Sequence, residues 1–178
     1  MTITNRSDII NKYRHVLCIL LKKVTKEGRY IMNYTKNFGF KHKAGVVMPV
    51  SSLPSKYGIG SFGKAAFDFI DFLDATGQKC WQVLPLNPTS YGDSPYQSPS
   101  TVAGNPYFID IDILAKKGLL VKEELEAQLD DSKKINYGRL FNVRYLALRL
   151  AHYRFKGDKS YNAFVRKNSS WLEDYALF

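Results

Sequence analysis

Apolar residues fall along this chain in three rhythms, and each predicts a different element. Ala44 to Met48 reads AGVVM, a short, wholly apolar, β-branched run without alternation. Such runs mark a strand buried on both faces, as in a parallel sheet. From Lys64 to Thr76 the apolar period changes to that of a helix. Ala66, Phe69, Ile70 and Leu73 stand at i, i+3, i+4 and i+7, Asp68, Asp71 and Asp74 recur on the other side, and Gly77 sits where a C-terminal cap belongs. Cys80 to Leu86, CWQVLPL, is a second apolar run. Strand, helix and strand in this order predict a βαβ unit with a right-handed crossover, and such units bind ligands at the carboxyl ends of their strands.

Beyond residue 107 the pattern turns helical. Phe108 to Leu114 (FIDIDIL) alternates apolar and polar residues and suits either a brief strand or the approach to a helix. Lys116 to Asp130 predicts a turn at Gly118 and a short acidic helix, and Tyr137 to Phe155 an amphipathic helix closing at Gly157. A short helix is expected around Ser160 to Lys167, with Ser169-Ser170 as N-cap of the final WLEDYALF. No glycine or basic residue closes that last helix, and its apolar side chains predict an interrupted domain. No internal repeat is visible.

Between these halves lies Leu84 to Tyr107, LPLNPTSYGDSPYQSPSTVAGNPY. A loop this long is uncommon in a compact domain and, when ordered, usually carries function. Prolines 88, 95, 99 and 106 each fix φ and push the preceding residue towards an extended conformation, so little chain entropy is left to lose on binding. Tyr91, Tyr96 and Tyr107 supply rings with polar tips; Ser94, Gln97, Ser98 and Asn105 supply neutral hydrogen bonds; Asp93 is the sole charge. This chemistry suits a ligand of hydroxyls and apolar ring faces, such as a sugar. A phosphate site would be expected to carry Arg or Lys here.

The net charge of +10 changes the picture only after it is located. Residues 1–43 hold ten Lys or Arg and two acids, whereas the other 135 residues carry +2. Basicity therefore belongs to the head, and nucleic-acid binding by the body loses its main support. The head is expected to be a poorly ordered extension, with Met32 as the alternative true start. Its apolar run, Val16 to Leu21, is too short for a bilayer and lacks a cleavage signature, so no membrane partner is expected. Cys18 and Cys80 form no CxxC pattern and no disulfide framework, which favours a reduced, cytoplasmic setting.

Gly58-Ile59-Gly60-Ser61-Phe62-Gly63 matches GxGxxG and opens a helix. A dinucleotide fingerprint follows its strand at once and has an acid closing the second strand. Here Ser51 to Tyr57 intervene and Asn87 follows Leu86, so a tight structural turn is the better reading. Hydrolysis by carboxylates needs two acids facing one cleft, and this loop offers only Asp93. Asp68, Asp71 and Asp74 read as a solvated helix face, and His15, His42 and His152 lack metal-ligand spacing. No cofactor, metal or catalytic residue is assigned. Trp81 reads as core, Tyr91 and Tyr96 as ligand-facing, and Tyr107 as either.

Five segments carry a family resemblance: Ser52-Leu53-Pro54, Tyr57-Gly58-Ile59-Gly60, Trp81 to Leu86, Tyr91 to Ser98 (YGDSPYQS) and Ala103 to Tyr107 (AGNPY). With Trp171 to Phe178, they make residues 44–178 resemble the N-terminal part of the 4-alpha-glucanotransferases, the amylomaltase or disproportionating enzymes of glycoside hydrolase family 77. The resemblance implies an α/β fold: the first βαβ units of a (β/α)8 barrel with a helical subdomain toward the C-terminus. It implies a retaining transfer of α-1,4-glucan segments to a 4-hydroxyl, with catalytic carboxylates from barrel strands outside this stretch. On the matching loop it implies that Tyr96 lies beside the donor sugar, with Asp93 and Ser94 near it, and that Tyr91 makes a further glucan contact. The implied partner is a maltooligosaccharide together with the remaining C-terminal part of the barrel, and the piece alone is expected to be inactive. A non-catalytic glucan-binding module is the alternative; a nucleotide-binding βαβ domain is disfavoured by the missing acid.

Overall fold

The computed structural model describes residues 44–177. The expected head, including Met32, His15, His42 and Cys18, lies outside the described residues. The described residues divide into two compact units, with the boundary between Ile109 and Asp110.

In the first unit, β1 (Gly45–Val47) and β2 (Cys80–Gln82) pair in parallel, with Val46 opposite Trp81. Between them runs α1 (Lys64–Ala75). Strand, helix and parallel strand are thus where the hydrophobic rhythm placed them. Ala66 and Leu73 of α1 are buried with Val50, Leu53, Trp81, Val83 and Leu86, and Phe69 meets the Trp81 ring edge-on at 5.1 Å. Trp81 is core, as expected. Its indole Nε1 donates to the Met48 carbonyl at 2.8 Å, so the polar edge of a buried ring is satisfied by the neighbouring strand. Asp68, Asp71 and Asp74 are exposed, in keeping with a solvated face. α1 closes on Gly77, at φ 74°, with the Gly77 N–H donating to Asp74 O and the Gln78 N–H to Leu73 O.

One expectation for this unit fails. β1 is not buried on both faces, since Val47 is 63% exposed. An unbroken apolar run reports that a face is fit for burial; the two-stranded sheet described here covers only part of it. The expectation of no disulfide framework also fails, because Cys80 is disulfide-bonded. That removes the cysteine argument for a reduced compartment.

The second unit is helical: α2 (Ile111–Lys116), α3 (Lys122–Glu126), α4 (Tyr137–Arg154), α5 (Lys159–Lys167) and α6 (Ser169–Leu177). The ambiguous FIDIDIL resolves as a helix approach, since Pro106–Phe108 forms a 3-10 turn and Asp110 caps α2 by accepting from the Ile113 N–H at 2.9 Å. Two arginines tie α4 to the segment before it. Arg139 donates to Asp130 and to the carbonyls of Ala127 and Leu129, while Arg154 grips both oxygens of Glu124, at 2.6 and 2.7 Å, and donates to Leu119 O. The α4 stripe Leu140, Arg144, Ala147 and Ala151 is buried, yet Phe141, Leu146 and Tyr153 are exposed, so α4 is less cleanly amphipathic than its sequence suggests. The α6 cap falls one residue earlier than expected: the Asn168 carbonyl accepts from Trp171 and Leu172, and Ser169 and Ser170 already lie in the helix.

Candidate functional site

The loop after β2 is closed at its base like a ring. The Asn105 N–H donates to Leu86 O at 2.8 Å, and Asn87 Nδ2 donates to Ala103 O at 3.1 Å. Beneath it, the buried Ser100 hydroxyl accepts from the N–H groups of Val102 and Ala103, and Ser98 Oγ donates to Ser100 O at 2.7 Å. Asn105 Oδ1 accepts from the Tyr107 N–H, capping the 3-10 turn in which Pro106 takes the first position. The backbone groups of so long a segment would otherwise need water or sheet partners. Here short polar side chains satisfy them, and the loop is held without a strand.

Residues 90–97 form the tip, from two turns placed end to end. The Asp93 N–H donates to Ser90 O at 3.0 Å, with Gly92 at φ 95° in the turn position that demands a positive φ. The Gln97 N–H donates to Ser94 O at 3.1 Å, with Pro95 preset at the second position of that turn. A third bond, Ser90 N–H to Gln97 O at 3.0 Å, clasps the two together. Asp93 joins them at φ 55°, and its Oδ1 accepts from Thr89 Oγ1 at 3.4 Å.

All four residues expected to contact a ligand lie on this tip. Tyr91 and Tyr96 are 103% and 73% exposed, against 5% for Tyr57 and Tyr107. Asp93 and Ser94 are half-buried between them in sequence. Tyr107, left open by the sequence, is core. The loop's surface is aromatic and rich in hydroxyls, with Asp93 as its sole charge. Sequence reasoning missed Ser100 and read Asn105 as a hydrogen-bonding group for a ligand, whereas its side chain caps the turn at Tyr107. Their signals were the Ser-x-Ser spacing and an Asn-Pro pair ahead of a turn.

The GxGxxG stretch is a structural turn. A Cβ on Gly60 would lie 2.0 Å from Val50 O, so backbone passes backbone where a dinucleotide loop leaves room for a pyrophosphate. Among the described residues no group of three or more His, Cys, Asp or Glu could hold a metal, and no helix is long and apolar enough to cross a membrane.

Fold and loop together define an α/β chain that presents an ordered, aromatic loop at the carboxyl end of a parallel strand. The family model of the 4-alpha-glucanotransferases, glycoside hydrolase family 77, matches residues 48–178, so the chain belongs to that family. Relatives named 4-alpha-glucanotransferase from Clostridium butyricum, Streptococcus pneumoniae and Thermus thermophilus are 54%, 50% and 44% identical over 74%, 78% and 75% of this chain. The chain spans only 27–28% of their length. Among solved structures it is similar to the amylomaltase from Streptococcus agalactiae in complex with acarbose, with a TM-score of 0.68 and 39% identity over 76% of this chain and 28% of that one.

Proposed function

We propose that this chain supplies the N-terminal part of a 4-alpha-glucanotransferase: the first βαβ unit of a (β/α)8 barrel, a helical subdomain, and a loop that contacts the donor glucan. Residues 44–178 form that portion and residues 1–43 a separate basic head. In this reading the enzyme cleaves an α-1,4-glucan, holds the sugar on an aspartate, and passes it to the 4-hydroxyl of another glucan with a glutamate as acid and base. Those two carboxylates come from barrel strands other than the ones described here. Tyr96 lies against the donor sugar with Asp93 and Ser94 beside it, and Tyr91 stacks on a further glucose unit.

The observation that carries the reading is the double turn at residues 90–97. Two tyrosines stand out from a backbone already held by three hydrogen bonds. Exposed rings cost free energy in water unless something covers them, and a glucose ring offers an apolar face for the π-system and hydroxyls for its surroundings. A loop ordered beforehand loses little entropy on binding.

The test is an amide-resolved NMR titration of the 178-residue chain with acarbose and with maltoheptaose. Shifts centred on residues 90–97, lost in Tyr96→Ala and reduced in Tyr91→Ala, are expected. Shifts elsewhere, or shifts indifferent to Tyr96→Ala, would remove the loop from the glucan site. Incubated with maltotriose, the same chain should release no glucose. Robust release would mean that Asp93 belongs to a carboxylate pair.

A further inference from the structure

We propose that Asp93 is a positioning residue, whose left-handed backbone sets where Tyr96 stands, a duty separate from any contact its carboxylate makes with a sugar. The inference rests on the glucan-loop reading above and deepens it. Among the described residues Asp93, at φ 55°, is the non-glycine residue with a positive φ. A side chain in that region is costly, and aspartate and asparagine bear it best because a short polar group can hydrogen-bond locally. Asp93 has such a bond, to Thr89 Oγ1.

Its position gives the conformation a purpose. The Asp93 N–H closes the first turn of the tip on Ser90 O, and the next residue, Ser94, opens the second by accepting from the Gln97 N–H. Rotation of Asp93 into the extended region would swing Ser94 to Gln97 away and part Gln97 O from the Ser90 N–H, the bond that clasps the tip. Tyr96 lies inside the segment that would swing. Gly92 just before it has φ 95°, and a Cβ added there would meet nothing within 4 Å, so it is glycine for its backbone rather than for space. A second glycine at 93 would keep the angle and lose the tether, while aspartate supplies both.

Angle and carboxylate are separated by comparing Asp93→Asn, Asp93→Gly and Asp93→Ala with the unsubstituted 178-residue chain. Asparagine keeps the angle and the local bond without the charge. Glycine keeps the angle alone, and alanine keeps neither. Hydrogen exchange of the Ser90 amide, which donates to Gln97 O and is measured without ligand, reads the clasp. Maltoheptaose titration followed at residues 90–97 reads the consequence. Exchange and dissociation constant should both rise roughly five- to tenfold in Asp93→Ala. Ligand-free exchange should stay within about threefold of the unsubstituted chain in Asp93→Gly and Asp93→Asn, since neither is forced out of the left-handed region, and Asp93→Gly, which lacks the carboxylate as alanine does, should bind maltoheptaose more tightly than Asp93→Ala. Equal exchange in Asp93→Ala and Asp93→Gly overturns the proposal, as does glycine binding maltoheptaose no better than alanine. If the exchange order holds while the unsubstituted chain binds no maltoheptaose, the glucan reading fails and the positioning role stands.

Discussion

Gly60→Ala is the sharpest probe of how this βαβ unit is built. The added Cβ would lie 2.0 Å from Val50 O, 2.8 Å from Leu53 N and 2.9 Å from Leu53 Cβ. Carbon needs about 3 Å even in the tightest contacts, so the Val50 carbonyl must retreat by about 1 Å. It has nowhere to go, because Val50 and Leu53 are both buried in the core. Two hydrogen bonds depend on that approach: Leu53 N–H to Val50 O at 3.1 Å and Gly60 N–H to Ser51 O at 3.0 Å. Weakening both costs about 1–2 kcal/mol, and overpacking a closed site adds about 1–3 kcal/mol, for a total near 3 kcal/mol. Gly77→Ala is the matched control. Gly77 has φ +74° and nothing within 4 Å, so its substitution tests angle without crowding and should cost only about 1 kcal/mol. Urea unfolding of the full chain measures both, with the fluorescence of buried Trp81 as reporter. A Gly60→Ala cost no larger than that of Gly77→Ala would refute the close approach. A glycine kept for a nucleotide would give a different pattern, with altered ligand binding and unchanged stability of the free chain.

Leu73 is fully buried against Trp81 and Leu86, and Leu73→Ala should lower stability by about 2–5 kcal/mol in the same urea assay. The Glu124 carboxyl is held at about 2 by its hydrogen bonds to Arg154 and to the Val121 N–H. A depressed folded pKa stabilises above the unfolded value near 4.5, and that contribution is lost as pH falls from there towards about 2. Unfolding midpoints should therefore drop across this window, and Glu124→Gln should flatten the drop; an unchanged slope would count against the pair. In an intact enzyme that joins this N-terminal part to the rest of the barrel, Tyr96→Ala should reduce turnover on maltotriose far more than Ser98→Ala. Equal, small effects would take Tyr96 out of the site.

The βαβ unit was legible because each of its elements is a periodic pattern closed by local chemistry. The i, i+3, i+4, i+7 stripe of α1 and the glycine after it carry their own boundaries, and both lie where the pattern put them. FIDIDIL was not legible, since alternation over so few residues also fits a helix approach, and the Asp110 cap decides it only once the Pro106–Phe108 turn has aimed the chain. The last helix was misplaced by a residue because Asn168 and Ser169 are both good caps and which one turns the chain depends on how α5 ends. In the loop the exposure of Tyr91 and Tyr96 was readable from their neighbours, but the loop's support was not. Ser100 and Asn105 are ordinary polar residues until their hydrogen bonds at the loop base are seen.

What the chain determined by itself, then, is the run of apolar residues that can be buried, the prolines and glycines that preset the loop, and the motif that places it in its family. Those are local properties of side chain and backbone, and they survive without a partner. That Tyr57 and Tyr107 are core was decided only by the tertiary structure. Neither lies in an element whose period assigns a face, and burial there depends on whether distant backbone closes over the ring. The same holds for Val47. Its apolar character belongs to the sequence, while its exposure follows from how many strands lie beside it, and a residue's own chemistry cannot count its neighbours.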